Sequence, residues 1–188
     1  SFFRRQLLSL PDDPERGLLQ MRAALREAYE SSNRLWIDIR VPALDASSRG
    51  FQPELLARFV LGAAQEVDAA NGDKMQPPVF LAHGISTALY LSQAVRDTSF
   101  TAGAGAAAVV PLGPEDEDGS SSMSDMVDPA ALARVSDSAS PLIIVGPFDG
   151  VEHSLSREWR TAADGARTIV LFNHRPPEAD DDGAGTDA

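Results

Sequence analysis

Short apolar segments of strand character alternate along this chain with longer segments of helical periodicity, which limits the folds it can adopt. Residues 142–145 (LIIV) and 168–172 (TIVLF) are typical of buried strands, whereas residues 53–67 repeat apolar side chains at helical spacing. Strands that alternate with helices predict a parallel sheet with helices on both faces. We therefore predict an α/β fold, a three-layer sandwich with a mostly parallel sheet of about five strands. The strands are expected at 34–41, 79–82, 106–110, 142–145 and 168–172.

Start and stop signals place the helices between these strands. Asp13 followed by Pro14 is an N-cap signal for a helix over 14–30, and Pro53 begins a second helix that ends at Asn71-Gly72. A third helix is expected from Gly84-Ile85 onward. Two shorter helices are expected at 129–135 and 151–162.

The formal net charge of −12 is concentrated in two segments of the chain. Eleven of the 28 acidic residues lie in 115–128 and 178–188, where no basic residue occurs. We expect one α/β domain over 1–177, with an acidic, Ser-rich loop at 113–127 and a disordered acidic tail at 178–188. The remainder is nearly neutral and has no cationic stripe, so nucleic-acid binding is not expected.

The residue types available exclude several kinds of site. The chain has no Cys and three His without metal-ligand spacing, so neither a metal site nor a cofactor is expected. It contains no GxxxxGK[ST] loop and no GxSxG nucleophile turn, so no catalytic residue is assigned. No apolar run approaches the ~18–20 residues that span a bilayer, so no transmembrane segment is expected.

The carboxyl ends of parallel strands meet at one edge of the sheet, where ligands of such folds bind. That rule yields seven candidate ligand-binding residues. The turn at 83–87 also starts a helix whose free N–H groups favour an anion. The candidates are His83, Gly84, Ser86, Asp149, Asn173, His174 and Arg175.

Each polar candidate also has an ordinary structural interpretation. Ser86 is expected more often as a helix-cap or first-turn hydroxyl, and Asp149 as the cap of the helix that follows it. Asn173 is expected more often to hydrogen-bond the backbone of a neighbouring loop. Asp38, on a strand face, is expected to be solvated or paired with an Arg rather than to act as a general base.

Four segments carry a resemblance to a known family. They are residues 10–15 (LPDDPE), 34–60 (RLWIDIRVPALDASSRGFQPELLARFV), 141–153 (PLIIVGPFDGVEH) and 168–177 (TIVLFNHRPP). Over most of 10–177 the chain resembles the domain of unknown function family numbered nineteen ninety-five, of plants, algae and cyanobacteria. It departs from that family at His83-Gly84, where the family's turn carries an acidic residue.

What the resemblance implies is mainly location and partners. Members of the family look like plastid or cyanobacterial proteins, and one of them is associated with photosystem II assembly. The resemblance implies the chloroplast stroma, with thylakoid association left open, or the cyanobacterial cytoplasm as the alternative. We expect a non-catalytic accessory protein that binds a photosystem or assembly component. The alternative is a small-ligand or phosphate-binding α/β protein, an enzyme included, with its site at the strand carboxyl ends.

Overall fold

The computed structural model describes residues 3–7, 13–72, 76–98, 107–112, 140–146 and 167–173, the first of these ranges by its backbone. They form six strands and three α-helices. In chain order these are β1 (Phe3–Leu7), α1 (Pro14–Tyr29), β2 (Arg34–Ile39), α2 (Pro53–Asn71), β3 (Val79–His83), α3 (Ile85–Arg96), β4 (Ala108–Leu112), β5 (Leu142–Val145) and β6 (Ile169–Phe172). A 3₁₀ turn at Pro42–Leu44 follows β2.

The six strands form a single parallel sheet in the order β1-β2-β6-β5-β3-β4. The predicted α/β class and parallel sheet are confirmed. The sheet has one strand more than the five expected, because β1 had not been predicted. Pro111 lies in β4, which is at the edge of the sheet. Its missing N–H would face the unpaired side of this strand, so no hydrogen bond between strands is lost.

All three described helices lie on one face of the sheet. Successive side chains of a strand point to opposite faces of the sheet, so those beneath the helices come from alternate positions. In β2 they are Leu35, Ile37 and Ile39. Side chains of the opposite parity, such as Val79 and Ile144, form a second buried cluster on the other face. The helices predicted at 129–135 and 151–162 lie outside the described residues, so the third layer stays a prediction.

Local signals explain where the helices start and end. The Asp13 carboxylate accepts a hydrogen bond from the Glu15 N–H at 3.0 Å, which caps α1 as predicted. Gly72 ends α2 with a φ of 56°, a conformation that glycine adopts without steric cost. The bounds of both helices therefore follow from residues that the sequence makes visible.

Candidate functional site

The order of the strands creates a switch point at the carboxyl edge of the sheet. The chain leaves β3 toward α3 on the face that carries the three helices. After β5 the order of the strands runs in the opposite direction along the sheet, to β6. Open α/β sheets bind ligands at the carboxyl ends of the strands, at the point where the strand order reverses. The switch point brings His83 and Gly84 of the β3 end next to Gly146 after β5.

Gly146 allows the two strand ends to approach closely. It has a φ of 117°, and a Cβ at this position would lie 2.7 Å from the Cβ of His83. Any other residue would have a strained backbone at this φ and a Cβ too close to His83, so the junction requires glycine. Gly146 was not among the candidate residues, although a glycine directly after the buried segment 142–145 was a visible signal.

Gly84 and Ser86 form the open side of the same junction. Gly84 is the N-cap of α3 with a φ of 84°, and a Cβ there would meet nothing within 4 Å. No side chain caps this helix, and Ser86 is exposed in its first turn. The first N–H groups of α3 therefore lack a side-chain acceptor at their own cap.

Asn173 lies two strands away, at the end of β6, and both the oxygen and the nitrogen of its side-chain amide form hydrogen bonds. Its Oδ1 accepts a hydrogen bond from the Ile39 N–H at 2.8 Å, and its Nδ2 donates to the Leu44 carbonyl at 3.0 Å. Its own N–H donates to the Ile37 carbonyl at 2.7 Å, and its φ is 52°, which Asn tolerates better than most residues. Asn173 thus ties the ends of β6 and β2 to the 3₁₀ turn, as its alternative interpretation anticipates.

Four of the seven candidate residues are therefore placed. His83, Gly84 and Ser86 share one junction, while Asn173 is separated from them by β5, a distance of about 10 Å at the usual strand spacing. Asp149, His174 and Arg175 lie outside the described residues. Ligand binding by any of the seven stays a prediction.

Two buried acidic side chains, Asp38 and Glu66, form ion pairs with arginines. Asp38 is 7% exposed, and its Oδ2 lies 3.0 Å from the Arg40 Nε. Glu66 of α2 accepts hydrogen bonds from Arg22 at 2.7 Å and Arg26 at 3.0 Å, both on α1. No group of three or more acidic or His side chains gathers as a metal site within the described ranges.

Burial and ion pairing act in opposite directions on Glu66. Burial raises the pKa of the carboxyl, but the hydrogen bonds and positive charges of Arg22 and Arg26 outweigh it. The pKa of Glu66 therefore lies below its ordinary value, and the ionised carboxylate holds α1 against α2.

A second surface of the molecule lies on the solvent side of α3. Ile85, Leu89 and Tyr90 are 52%, 59% and 37% exposed, and the helix carries no charged residue from Ile85 to Val95. The Tyr90 hydroxyl donates a hydrogen bond to the Glu54 carboxylate, which together with its negative charge raises the pKa of Tyr90. We call Ile85, Leu89 and Tyr90 the α3 stripe.

Comparison with known proteins finds no matching family model, no matching curated protein and no matching solved structure. The resemblance to the domain family therefore stays a prediction. Among the helices of the described ranges, none combines the length and the apolar character needed to cross a membrane.

Proposed function

We propose that this protein is a non-catalytic plastid accessory protein that belongs to the resembled family and acts by binding other proteins. The partner proposed is a photosystem component or an assembly factor, and the location is the chloroplast stroma. The family resemblance supports the location and the partner class. The α3 stripe is the single structural observation that supports protein binding.

The stripe supports binding because its composition departs from that of an ordinary surface helix. The solvent face of such a helix normally carries charged residues, whereas α3 exposes two aliphatic side chains and a tyrosine. Charge is depleted and aromatic residues are enriched at the centre of protein interfaces. An apolar partner surface would release water from Ile85 and Leu89 without burying an unpaired charge.

The experiment compares capture by three versions of the full chain from a thylakoid extract, with the bound proteins identified by mass spectrometry. Leu89→Glu places a charge in the α3 stripe. Leu19→Glu is the matched control, because Leu19 is a 65% exposed leucine on α1, away from the stripe. We expect the unchanged chain and Leu19→Glu to recover photosystem or assembly components, and Leu89→Glu to lose them. Recovery of none of these above background, or equal recovery by all three, contradicts the proposal.

A second candidate function is binding of a small anion, such as phosphate or a nucleotide, at the β3–β5 junction. It is favoured by the open space beside Gly84 next to uncapped N–H groups of α3. Because a ligand of the native state raises its stability, a thermal-shift series with phosphate and nucleotides tests this candidate. The shift should disappear in Gly84→Ala and persist in Gly72→Ala, since Gly72 also has a positive φ and open space but lies at the end of α2. No shift at millimolar ligand contradicts it.

A further inference from the structure

We propose that Asn71-Gly72 is a deamidation site whose rate is controlled by the Tyr29 bridge, the hydrogen bonds that join Tyr29 to Asn71 and Thr168. The chain has three asparagines, and Asn71 is the one that a glycine follows. The residue after the asparagine supplies the attacking nitrogen, and a glycine there places no side chain in the way. This inference goes beyond the proposed function and does not depend on partner binding.

The reaction needs water and no other reagent. The Gly72 nitrogen gives up its proton to hydroxide, attacks the Asn71 Cγ and closes a five-membered succinimide ring. The bond between Cγ and Nδ2 breaks, and the side-chain nitrogen takes a proton from water and leaves as ammonia. Water then opens the ring at either carbonyl carbon, which leaves aspartate or isoaspartate at position 71. Nothing is oxidised or reduced in either step.

The folded chain holds both reacting groups away from the geometry of this ring. Asn71 is the last residue of α2, and a helical ψ turns its Cβ away from the nitrogen of the next residue, whereas the ring requires the two to be nearly eclipsed. The Gly72 N–H donates a hydrogen bond to the Asp68 carbonyl, so the attacking nitrogen is engaged as well. Ring closure therefore requires the last turn of α2 to open.

The Tyr29 bridge opposes that opening, and a hydrogen bond within α2 supports it. The Tyr29 hydroxyl donates to the Asn71 Oδ1 at 2.7 Å, and the Asn71 Nδ2 donates to the Val67 carbonyl at 2.9 Å. Since the one phenol proton goes to Asn71, the hydroxyl of Thr168 donates the hydrogen bond of 2.8 Å between it and Tyr29. Thr168 is buried directly before β6, so the end of α2 is attached through Tyr29 to both α1 and the sheet.

The product of deamidation cannot restore the native contacts. Gly72 has a φ of 56°, and a Cβ built on it would meet nothing within 4 Å, so no neighbouring atom crowds this side of the opened turn. An aspartate has no Nδ2 donor for the Val67 carbonyl, and its charge lies at the negative end of the α2 dipole. Isoaspartate also lengthens the main chain by a methylene group. Deamidation therefore marks, irreversibly, a molecule in which the end of α2 has opened.

Peptide mapping of the full chain by mass spectrometry at mildly alkaline pH tests this proposal, with isoaspartate measured by enzymatic methylation. We expect deamidation at Asn71 to be roughly tenfold or more slower in the folded chain than in denaturant. Tyr29→Phe should make it about fivefold faster in the folded chain, since local opening then breaks two fewer hydrogen bonds. Thr168→Val removes the attachment to the sheet and should act in the same direction. Asn33 and Asn173, which no glycine follows, should react more slowly and serve as internal controls.

Asn173→Ala is the control for a general loss of stability. It weakens the carboxyl edge of the sheet and leaves the Tyr29 bridge in place. If Asn71 reacted only through global unfolding, Asn173→Ala would accelerate the reaction more than Tyr29→Phe does, and that result overturns the proposal. A folded chain that reacts as fast as the denatured one also overturns it. So does an unchanged or slower reaction in Tyr29→Phe and Thr168→Val, provided that circular dichroism shows both variants to be folded.

Discussion

At the carboxyl edge of the sheet, the ends of β2 and β6 are joined in a different way from the ends of β3 and β5. Between β2 and β6, the side chain of Asn173 fills the gap and uses its donor and acceptor on the backbone of Leu44 and Ile39. Between β3 and β5, Gly146 adds no side chain and so lets the end of β5 approach the side chain of His83. A polar residue after a strand therefore indicates a bridge as readily as a binding site, whereas a glycine there indicates close approach.

The largest effect is expected from Gly146→Ala, which breaks the glycine junction. The new methyl group would lie 2.7 Å from the Cβ of His83, on a backbone with a φ of 117°. Overpacking and backbone strain together should lower the free energy of unfolding by about 2–4 kcal/mol, measured by urea denaturation. Gly84→Ala has the strain without the contact and should cost about half as much. Equal losses for the two variants would show that the contact with His83 does not matter.

Asn173→Ala breaks the other junction and should cost about 2–3 kcal/mol. It removes two side-chain hydrogen bonds, at 2.8 and 3.0 Å, and leaves the Leu44 carbonyl without its amide donor. Asn173→Gly removes the same bonds, but glycine adopts the φ of 52° without strain. It should therefore cost about 1 kcal/mol less than Asn173→Ala. Urea denaturation of both variants, with hydrogen exchange at the Ile39 amide, measures these effects. Rapid exchange at Ile39 in the unchanged chain would contradict the bridge.

Replacing Glu66 should lower the stability of the fold without affecting either junction. Its folded-state pKa is lowered, so the unfolded chain binds the proton more readily. Its contribution is therefore present above the ordinary pKa of about 4.5 and declines as the pH falls below that value. We expect Glu66→Gln to cost about 1 kcal/mol at pH 7 and to flatten the fall in stability toward pH 3. If the free energy of unfolding depends on pH in the same way in Glu66→Gln, Glu66 does not contribute to that dependence.

A loss about as small as that of Glu66→Gln is expected at the opposite, amino edge of the sheet. The Tyr29 hydroxyl bridges Asn71 at 2.7 Å and Thr168 at 2.8 Å. Tyr29→Phe removes both bonds but keeps the packing of the ring, so it should cost about 1 kcal/mol. Thermal unfolding of this variant should be compared with that of Asn173→Ala. If Tyr29→Phe proves the more harmful of the two, the carboxyl edge is not the more tightly bridged one.

The interior of the fold was predictable from sequence because buried strands and capped helices have strong local signals. All five expected strands and the three helices that fall on described residues are present. β1 was missed because its sequence, FRRQL, has neither an apolar run nor a strict alternation. A strand at a sheet edge pairs on one side only, so it tolerates charged residues that conceal it.

The candidate site was predictable in position but less so in composition. The rule that ligands bind at strand carboxyl ends selected His83 and Asn173 alike, because each follows a strand. Sequence could not reveal that β5 separates them, since the order of strands depends on contacts between distant residues. It also gave no sign of the α3 stripe, because Ile85 and Leu89 fit the helical period of a buried face. Only packing decides which apolar residues of such a helix face solvent.

The order of the strands has a consequence for synthesis of the chain. β6 and β5 occupy the centre of the sheet, yet among the described strands they come last in chain order. Until they emerge from the ribosome, β1 and β2 can form one half-sheet and β3 and β4 another, each with an unpaired edge facing the missing centre. The bond between Ile39 and Asn173 joins residues 134 positions apart, so the sheet closes late and at a high cost in chain entropy. The nascent protein therefore carries two unpaired strand edges until β6 is inserted, which makes it prone to aggregation up to that point.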